Sequence, residues 1–263
     1  MFLSKKFLSF FILGSSFGAD QLGVSVVARA VAAPASEVAM DLTPAALDAS
    51  WQKRHELCAK IIDLGTRKPE IPDNFEVAWR IGRFVYYGGF FCFPDNAEKS
   101  VKMDYFKYGV DALEKARKLN PSRVEGHYWY ASVYGGYALA KGIRASLAGA
   151  AGMRDACTEA IKIDPSYHFG GPYRVRGRLY FALPSLISFG DNKLAYEDLK
   201  KAMELGPDNK LNSVYFSEVQ AKVENKQAAL KTAEKAKDIP DAVGVKEDAS
   251  YRRDLDSLIK KWK

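Results

Sequence analysis

Ala116-Arg-Lys-Leu-Asn-Pro121, Ala160-Ile-Lys-Ile-Asp-Pro165 and Ala202-Met-Glu-Leu-Gly-Pro207 are three versions of one mark, Ala-x4-Pro. The prolines lie 44 and 42 residues apart, and each closes a run that reads as an amphipathic helix. Proline has no N–H to donate and its ring clashes with the preceding turn, so a helix stops before it. Recurrence at this interval marks stacked supersecondary units, each of which buries its apolar face only against a neighbour. Such a chain points to binding rather than chemistry.

The residues around each mark extend the repeat. Ser122-x-x-Glu125 reads as a capping box for the helix after Pro121. A small residue and an aromatic then follow three apart, Ala131 and Tyr134 after Pro121, Gly177 and Tyr180 after Pro165. A two-residue insertion in the turn His168-Phe169-Gly170-Gly171 reconciles their offsets, and the third copy keeps Ser217 but has Gln220 in the aromatic place. Thr43-Pro44 supplies an N-cap and a proline in the first turn, predicting a helix to about Leu64. Further helices are predicted over 74–90, from a cap at Asp95-x-x-Glu98 to Leu119, then over 126–140, 144–163, 173–183, 193–205, 212–224, 226–237 and 247–261. No alternation of period two suggests a strand. The fold class is all-α, an α-solenoid of stacked antiparallel helix hairpins forming a short right-handed superhelix with a concave inner face.

These marks resemble the tetratricopeptide repeat (TPR), with its small residues, its Ala-centred second helix and its closing Pro over about 34 residues. The interval here is longer, which fits a divergent branch of that family. The implied role is protein binding.

A chain of 263 residues with 48% hydrophobic residues can bury a large core. Its formal charge of +7 falls to +5 without the first 35 residues, which hold Lys5, Lys6, Arg29 and Asp20. Lysines between Lys193 and Lys237 alternate with Glu and Ala, as on a solvated helix surface, and no basic-aromatic motif suggests nucleic acid. Lys5-Lys6 followed by the apolar run from Phe7 to Leu13 reads as an export signal, so residues 1–35 are assigned to signal and linker and 36–263 to the repeat domain. Cleavage after Ala19 and cleavage at Ala33-Pro34-Ala35 both remain open. Asp20 and Arg29 interrupt the run before it reaches membrane-spanning length, and no cysteine stands near it for lipid attachment. The expected location is the periplasm, without a lipid anchor.

Cys58, Cys92 and Cys157 have no metal-ligand spacing. A first hairpin turning near Pro69 to Pro72 would set Cys58 and Cys92 about 15 Å apart at 1.5 Å per residue, so free thiols are expected. No nucleophile elbow, phosphate loop, paired catalytic carboxylates or metal cluster is present. No catalytic residue, metal or cofactor is assigned.

The candidate ligand residues are His127, Tyr130, Tyr134 and Tyr137, in the aromatic run Gly126-His-Tyr-Trp-Tyr-Ala131 and its continuation to Tyr137. At helical spacing the tyrosines share one face, where repeat-core packing competes with a ligand-lining role. Leu186, Ile187 and Phe189, in the apolar loop Pro184 to Gly190, are the candidate partner-binding residues, against the alternative that this loop packs between hairpins. His168 is read as a turn residue. The run from Gly126 with its following Gly-x-Tyr and Lys141-Gly142, together with Gly170-Gly171-x-Tyr173-Arg174, Gly177-x-Leu179-Tyr180, Leu183-Pro184 and Phe189-Gly190-Asp191, resembles the T component (TatT-like) of tripartite ATP-independent periplasmic (TRAP) transporters. Regulators of microtubule dynamics share part of the pattern. The TatT resemblance implies an exported, non-enzymatic scaffold that binds a protein partner, a TRAP-type solute-binding protein among the candidates, and a small hydrophobic ligand. A cell-envelope assembly scaffold without a ligand pocket is the alternative, and a homo-oligomer is left open.

Overall fold

The structure is a computed structural model that describes residues 39–241 and 246–263, with side chains of 143–146 excepted. The export signal lies outside the described residues. These are helical throughout, with no strand among them. The helices are α1 Pro44–Gln52, α2 Cys58–Arg67, α3 Phe75–Tyr87, α4 Lys99–Leu119, α5 Val124–Lys141, α6 Ile143–Ile163, α7 Tyr167–Ala182, α8 Asn192–Leu205, α9 Lys210–Val223, α10 Lys226–Lys237 and α11 Lys246–Trp262. Sequential helices pack on one another, and from α3 onward the pattern is an α-solenoid.

The Ala-x4-Pro mark has one geometry in all three places. Ala116, Ala160 and Ala202 are fully buried, and each carbonyl accepts the N–H four residues on, from Asn120, Asp164 and Gly206, at 2.9 Å. Those three capping residues adopt φ/ψ of −147/89, −150/96 and −148/69. The following Pro excludes helical ψ from the residue before it, so the chain leaves each helix in the same direction. The small residues of the next helices, Ala131, Gly177 and Ser217, are likewise buried where neighbours cross. In α7 a Cβ on Gly177 would come within 2.8 Å of Leu199.

Several expectations are corrected. The helix from Thr43 breaks at 53–57 into α1 and α2, although Thr43 does cap α1 by accepting from Ala46 N–H at 3.4 Å. No capping box forms before α5: Ser122 bonds Asn120 and Glu125 pairs with Arg123 at 2.5 Å. Neither Asp95 nor Glu98 caps α4. The helix after Asn74 ends in a π-helical turn, Gly88–Cys92. At His168, Phe169 and Gly170, φ is 51, 62 and 72°, a left-handed turn inside the inserted segment. Gly170 fits there because a Cβ would meet Ala202 Cα at 3.0 Å as well as the strained φ.

Cys58 and Cys92 form a disulfide, with Cα atoms 5.2 Å apart, against the expectation of free thiols; Cys157 is buried and free as expected. The expectation assumed a symmetrical hairpin. Instead Gly88 lies against Ile61, where a Cβ would fall 2.8 Å from Ile61 Cγ2, and Tyr105 closes the junction by donating to the Ile61 carbonyl at 3.1 Å. The register is thus displaced by about eight residues, about 12 Å. The non-helical stretch 68–74 is long enough to span that offset.

Buried residues fall into two clusters, one from Leu47 to Leu183 and one from Ala195 to Ile259. The last helix returns to the first. Arg54 Nε after α1 pairs with Glu247 Oε1 of α11 at 3.1 Å, Lys246 Nζ reaches Cys58 Sγ at 3.3 Å, and the rings of Phe91 and Tyr251 lie 6.2 Å apart. The solenoid therefore closes on itself.

Candidate functional site

The residues singled out on α5 share one side of the helix, where Arg117 meets both His127 and Tyr130. Tyr130, Tyr134 and Tyr137 form the ladder that their spacing predicts, with centroids 5.7 and 5.6 Å apart. Tyr134 covers Gly149 of α6, Tyr130 lies under the Arg117 guanidinium at 4.5 Å, and Tyr137 accepts from Lys141 Nζ at 2.8 Å. The ladder thus occupies the α5–α6 seam. His127 is buried, with Nε2 2.7 Å from the Pro121 carbonyl and Nδ1 accepting from Arg117 Nε at 3.3 Å. Burial lowers its pKa, and the Arg117 charge adds to that. It braces the turn after the first Ala-x4-Pro mark.

Tyr128, two residues before Tyr130, points about 200° away around the helix at 100° per residue. There it meets a polar cluster that sequence reasoning missed. Arg174 of α7 donates from Nη2 to the Tyr128 hydroxyl at 3.0 Å and from Nη1 to Asn212 Oδ1 of α9 at 2.8 Å. His168 stacks on Tyr128, with Nδ1 3.2 Å from the hydroxyl and 3.3 Å from Arg174 Nη2. Asn212 also donates to the carbonyls of Phe169, Ala202 and Gly206 at 3.0, 2.8 and 2.9 Å, which ties the left-handed turn to the third repeat mark. A signal for Arg174 was present: the residues three and four away on its own helix are Gly170, Gly171, Gly177 and Arg178, so its charge must be met from another element.

His168 keeps more than a third of its surface accessible, yet surrounding protein, then the Arg174 charge, pushes its imidazole down to about 3. An accessible ring in so crowded a place belongs to the wall of a hollow, not to the packed core. Tyr86 and Tyr251 share this character, half-buried by surface but with burial holding their phenols well above the ordinary tyrosine range. Rings connect the wall: Tyr86 lies 5.3 Å from Trp129 and 6.2 Å from Phe91, which in turn meets Tyr251. On the far side, Arg178 pairs with Glu218 at 2.6 Å and lies 4.6 Å over the Tyr215 ring. Beside Glu218, burial and then that carboxylate push Asp254 up to about 8, so it is mostly protonated at neutral pH.

The loop after α7 stands outward. Leu186 is 97% and Ile187 65% exposed, while Phe189 packs on Tyr180 at 6.0 Å and under Arg154 at 4.8 Å. Phe189 thus anchors the loop and the two aliphatic residues project from it. Among the described residues no group of three His, Cys, Asp or Glu could hold a metal, and no helix is long and apolar enough to cross a membrane.

A family model described as Regulator of microtubule dynamics protein 1-3 matches residues 47–189, more than half of the chain, and the chain belongs to that family. The crystal structure of TTC0263, a thermophilic TPR protein of Thermus thermophilus, is similar, with a TM-score of 0.54 over 81% of this chain and 95% of that one. The identity of 15% makes this a likeness of fold, that of a TPR protein. No curated protein matches the chain.

Proposed function

We propose that this member of the Regulator of microtubule dynamics protein 1-3 family is an exported, non-enzymatic scaffold that binds a protein partner through the loop between α7 and α8. The observation that carries the reading is the outward pair Leu186 and Ile187, held on a loop whose base is fixed by Phe189. Exposed aliphatic residues on a braced loop fit a contact surface better than a core segment. Export is supported by the Cys58–Cys92 disulfide, since such bonds persist in oxidising compartments, and by the signal-like segment after Lys5-Lys6. The partner we assign is a solute-binding protein of the TRAP type, on the strength of the TatT-like segments.

Co-purification from the cell envelope tests this reading. The wild-type chain should retain such a solute-binding protein, and the double variant Leu186→Asp, Ile187→Asp should lose it with unchanged thermal stability. Retention by the variant moves the contact elsewhere, and absence of that partner from the wild-type complex removes the transporter role. The tyrosine ladder forms the second part of the proposal. Tyr134 and Tyr137 keep part of their rings accessible along the α5–α6 seam, where a small apolar ligand would lie. Tyr137→Ala should weaken uptake of an apolar fluorescent probe, and unchanged uptake excludes the seam.

A further inference from the structure

Helices α3, α5, α7, α9 and α11 each contribute a polar group to the hollow: Tyr86, Tyr128, Arg174, Tyr215 and Tyr251. Ring contacts and hydrogen bonds bring them together: Tyr86 reaches Tyr128 through Trp129 and Tyr251 through Phe91, and Arg174 bonds Tyr128 and Asn212. Tyr215 stands near one turn beyond Asn212 on α9, under the guanidinium of Arg178, itself one turn beyond Arg174 on α7. Arg174 is 3% exposed. Its hydrogen-bond acceptors, Asn212 Oδ1, the Tyr128 hydroxyl, His168 Nδ1 and more distantly the His168 carbonyl at 3.5 Å, are all neutral groups. Among the described residues no carboxylate lies within ion-pairing distance of it. Glu218 is engaged by Arg178 and Glu247 by Arg54. A guanidinium remains charged at any ordinary pH, and a buried charge without a counter-ion is strongly disfavoured. Arg174 is therefore a buried positive charge without a paired carboxylate.

Donors accompany that charge. The hydroxyls of Tyr86, Tyr215 and Tyr251 make no hydrogen bond to any described residue. They are also absent from the polar atoms sealed away without a partner, which include Tyr87 Oη and Glu247 Oε2. Each is thus open to the hollow and free to donate. Between them the wall is aromatic, with Phe91 and Trp129 beside Tyr86.

We propose that this hollow binds a monoanionic carboxylate with an apolar body, the carboxylate accepting from the Tyr86, Tyr215 and Tyr251 hydroxyls and its charge balancing Arg174. One cation and three neutral donors match a single negative charge, whereas a phosphate dianion would leave a second charge unbalanced in a site walled by rings. The apolar body lies on the aromatic wall. This site is separate from the partner loop and does not rest on the partner reading.

Calorimetric titration of the full, lipid-stripped chain with dodecanoate, 1-dodecanol and dodecyl phosphate, all below their micelle-forming concentrations, tests it. Dodecanoate should bind one to one and the alcohol at least about tenfold more weakly, as expected for loss of a charged hydrogen-bond acceptor. Dodecyl phosphate should also bind more weakly. Tyr215→Phe with Tyr251→Phe removes hydroxyls that bond nothing in the protein, so the fold should stand while dodecanoate affinity falls about tenfold and alcohol affinity holds. Arg174→Met, where it folds, should abolish the preference for acid over alcohol. Equal affinity for acid and alcohol, no binding of the acid, tighter binding of the phosphate ester, or an unaffected double-Phe variant would each overturn the proposal.

Discussion

Between Leu47 and Leu183 the helices meet through rings. Trp51 touches Phe84 at 5.5 Å and Tyr87 at 5.9 Å, Phe90 meets Phe106 at 5.3 Å, and a disulfide pins the first hairpin. Between Ala195 and Ile259 they meet through small and aliphatic residues, with Ala195, Leu199, Ala233 and Leu255 fully buried and Tyr196–Phe216 as a ring pair. Polar fasteners do the holding there: Asn212 with its three carbonyls, Arg178 with Glu218, and Lys210, 1% exposed, with Asp241 at 2.8 Å. The difference teaches that one repeat geometry tolerates two kinds of glue. Large rings fill space where small glycines leave room, as Phe106 does between Gly89 and Gly136. Where the helices approach on alanines, directional bonds take over the task of setting the register.

The contrast can be broken most directly in the front half. Phe84→Ala, at a fully buried position, should lower unfolding free energy by about 3–5 kcal/mol in urea titration. A loss under about 1 kcal/mol would mean that the rings are not its main support. Replacing both Cys58 and Cys92 by Ser should remove about 2–4 kcal/mol, and reductant should reproduce this in the wild type but not in the variant. In the rear half Asn212→Ala removes the hydrogen bonds to Arg174 and to the carbonyls of Phe169, Ala202 and Gly206, and should lower stability by about 2–3 kcal/mol. If it proves as mild as a surface change, the polar-fastener account of that half fails.

Acid–base linkage sharpens the comparison further, because Asp254 belongs to the rear half. Its folded pKa of about 8 lies above the ordinary unfolded value of about 3.9, so the folded state holds the extra proton between them. Its contribution is greatest below the unfolded value and is lost as pH rises toward the folded one, at up to about 1.4 kcal/mol per pH unit. Asp254→Asn should therefore flatten the wild-type decline in stability between pH 5 and 8. A parallel decline in both proteins would move the titration to another group. The smallest effect is expected at the projecting loop, where Leu186→Asp should alter stability by less than about 0.5 kcal/mol, since the side chain is 97% exposed.

Most of the helix pattern was legible in the sequence because it follows from residues near one another. Pro121, Pro165 and Pro207 act on the residue before them, and the 226–237 helix emerged with the bounds that its composition predicts. The break at 53–57 and the Gly88–Cys92 π-turn were not legible, since both answer to the register in which α2 lies against the end of α3. The same displacement hid the disulfide. The tyrosine ladder was readable from spacing alone. Its direction, toward α6 and away from the hollow, depends on which side of α5 each neighbour takes. The cluster around Arg174 joins residues 38 and 46 positions apart in the chain, so no local pattern contains it.

Closure by α11 has a consequence for how this architecture could have grown. An open spiral gains length by duplicating a unit at either end, and its terminal units need polar outer faces. Here Glu247 meets Arg54 and Tyr251 meets Phe91, so each end serves as the other's cover. Inserting one more hairpin would force those contacts apart before it added any of its own. The number of units is then set by curvature, as the stones of an arch are by its span.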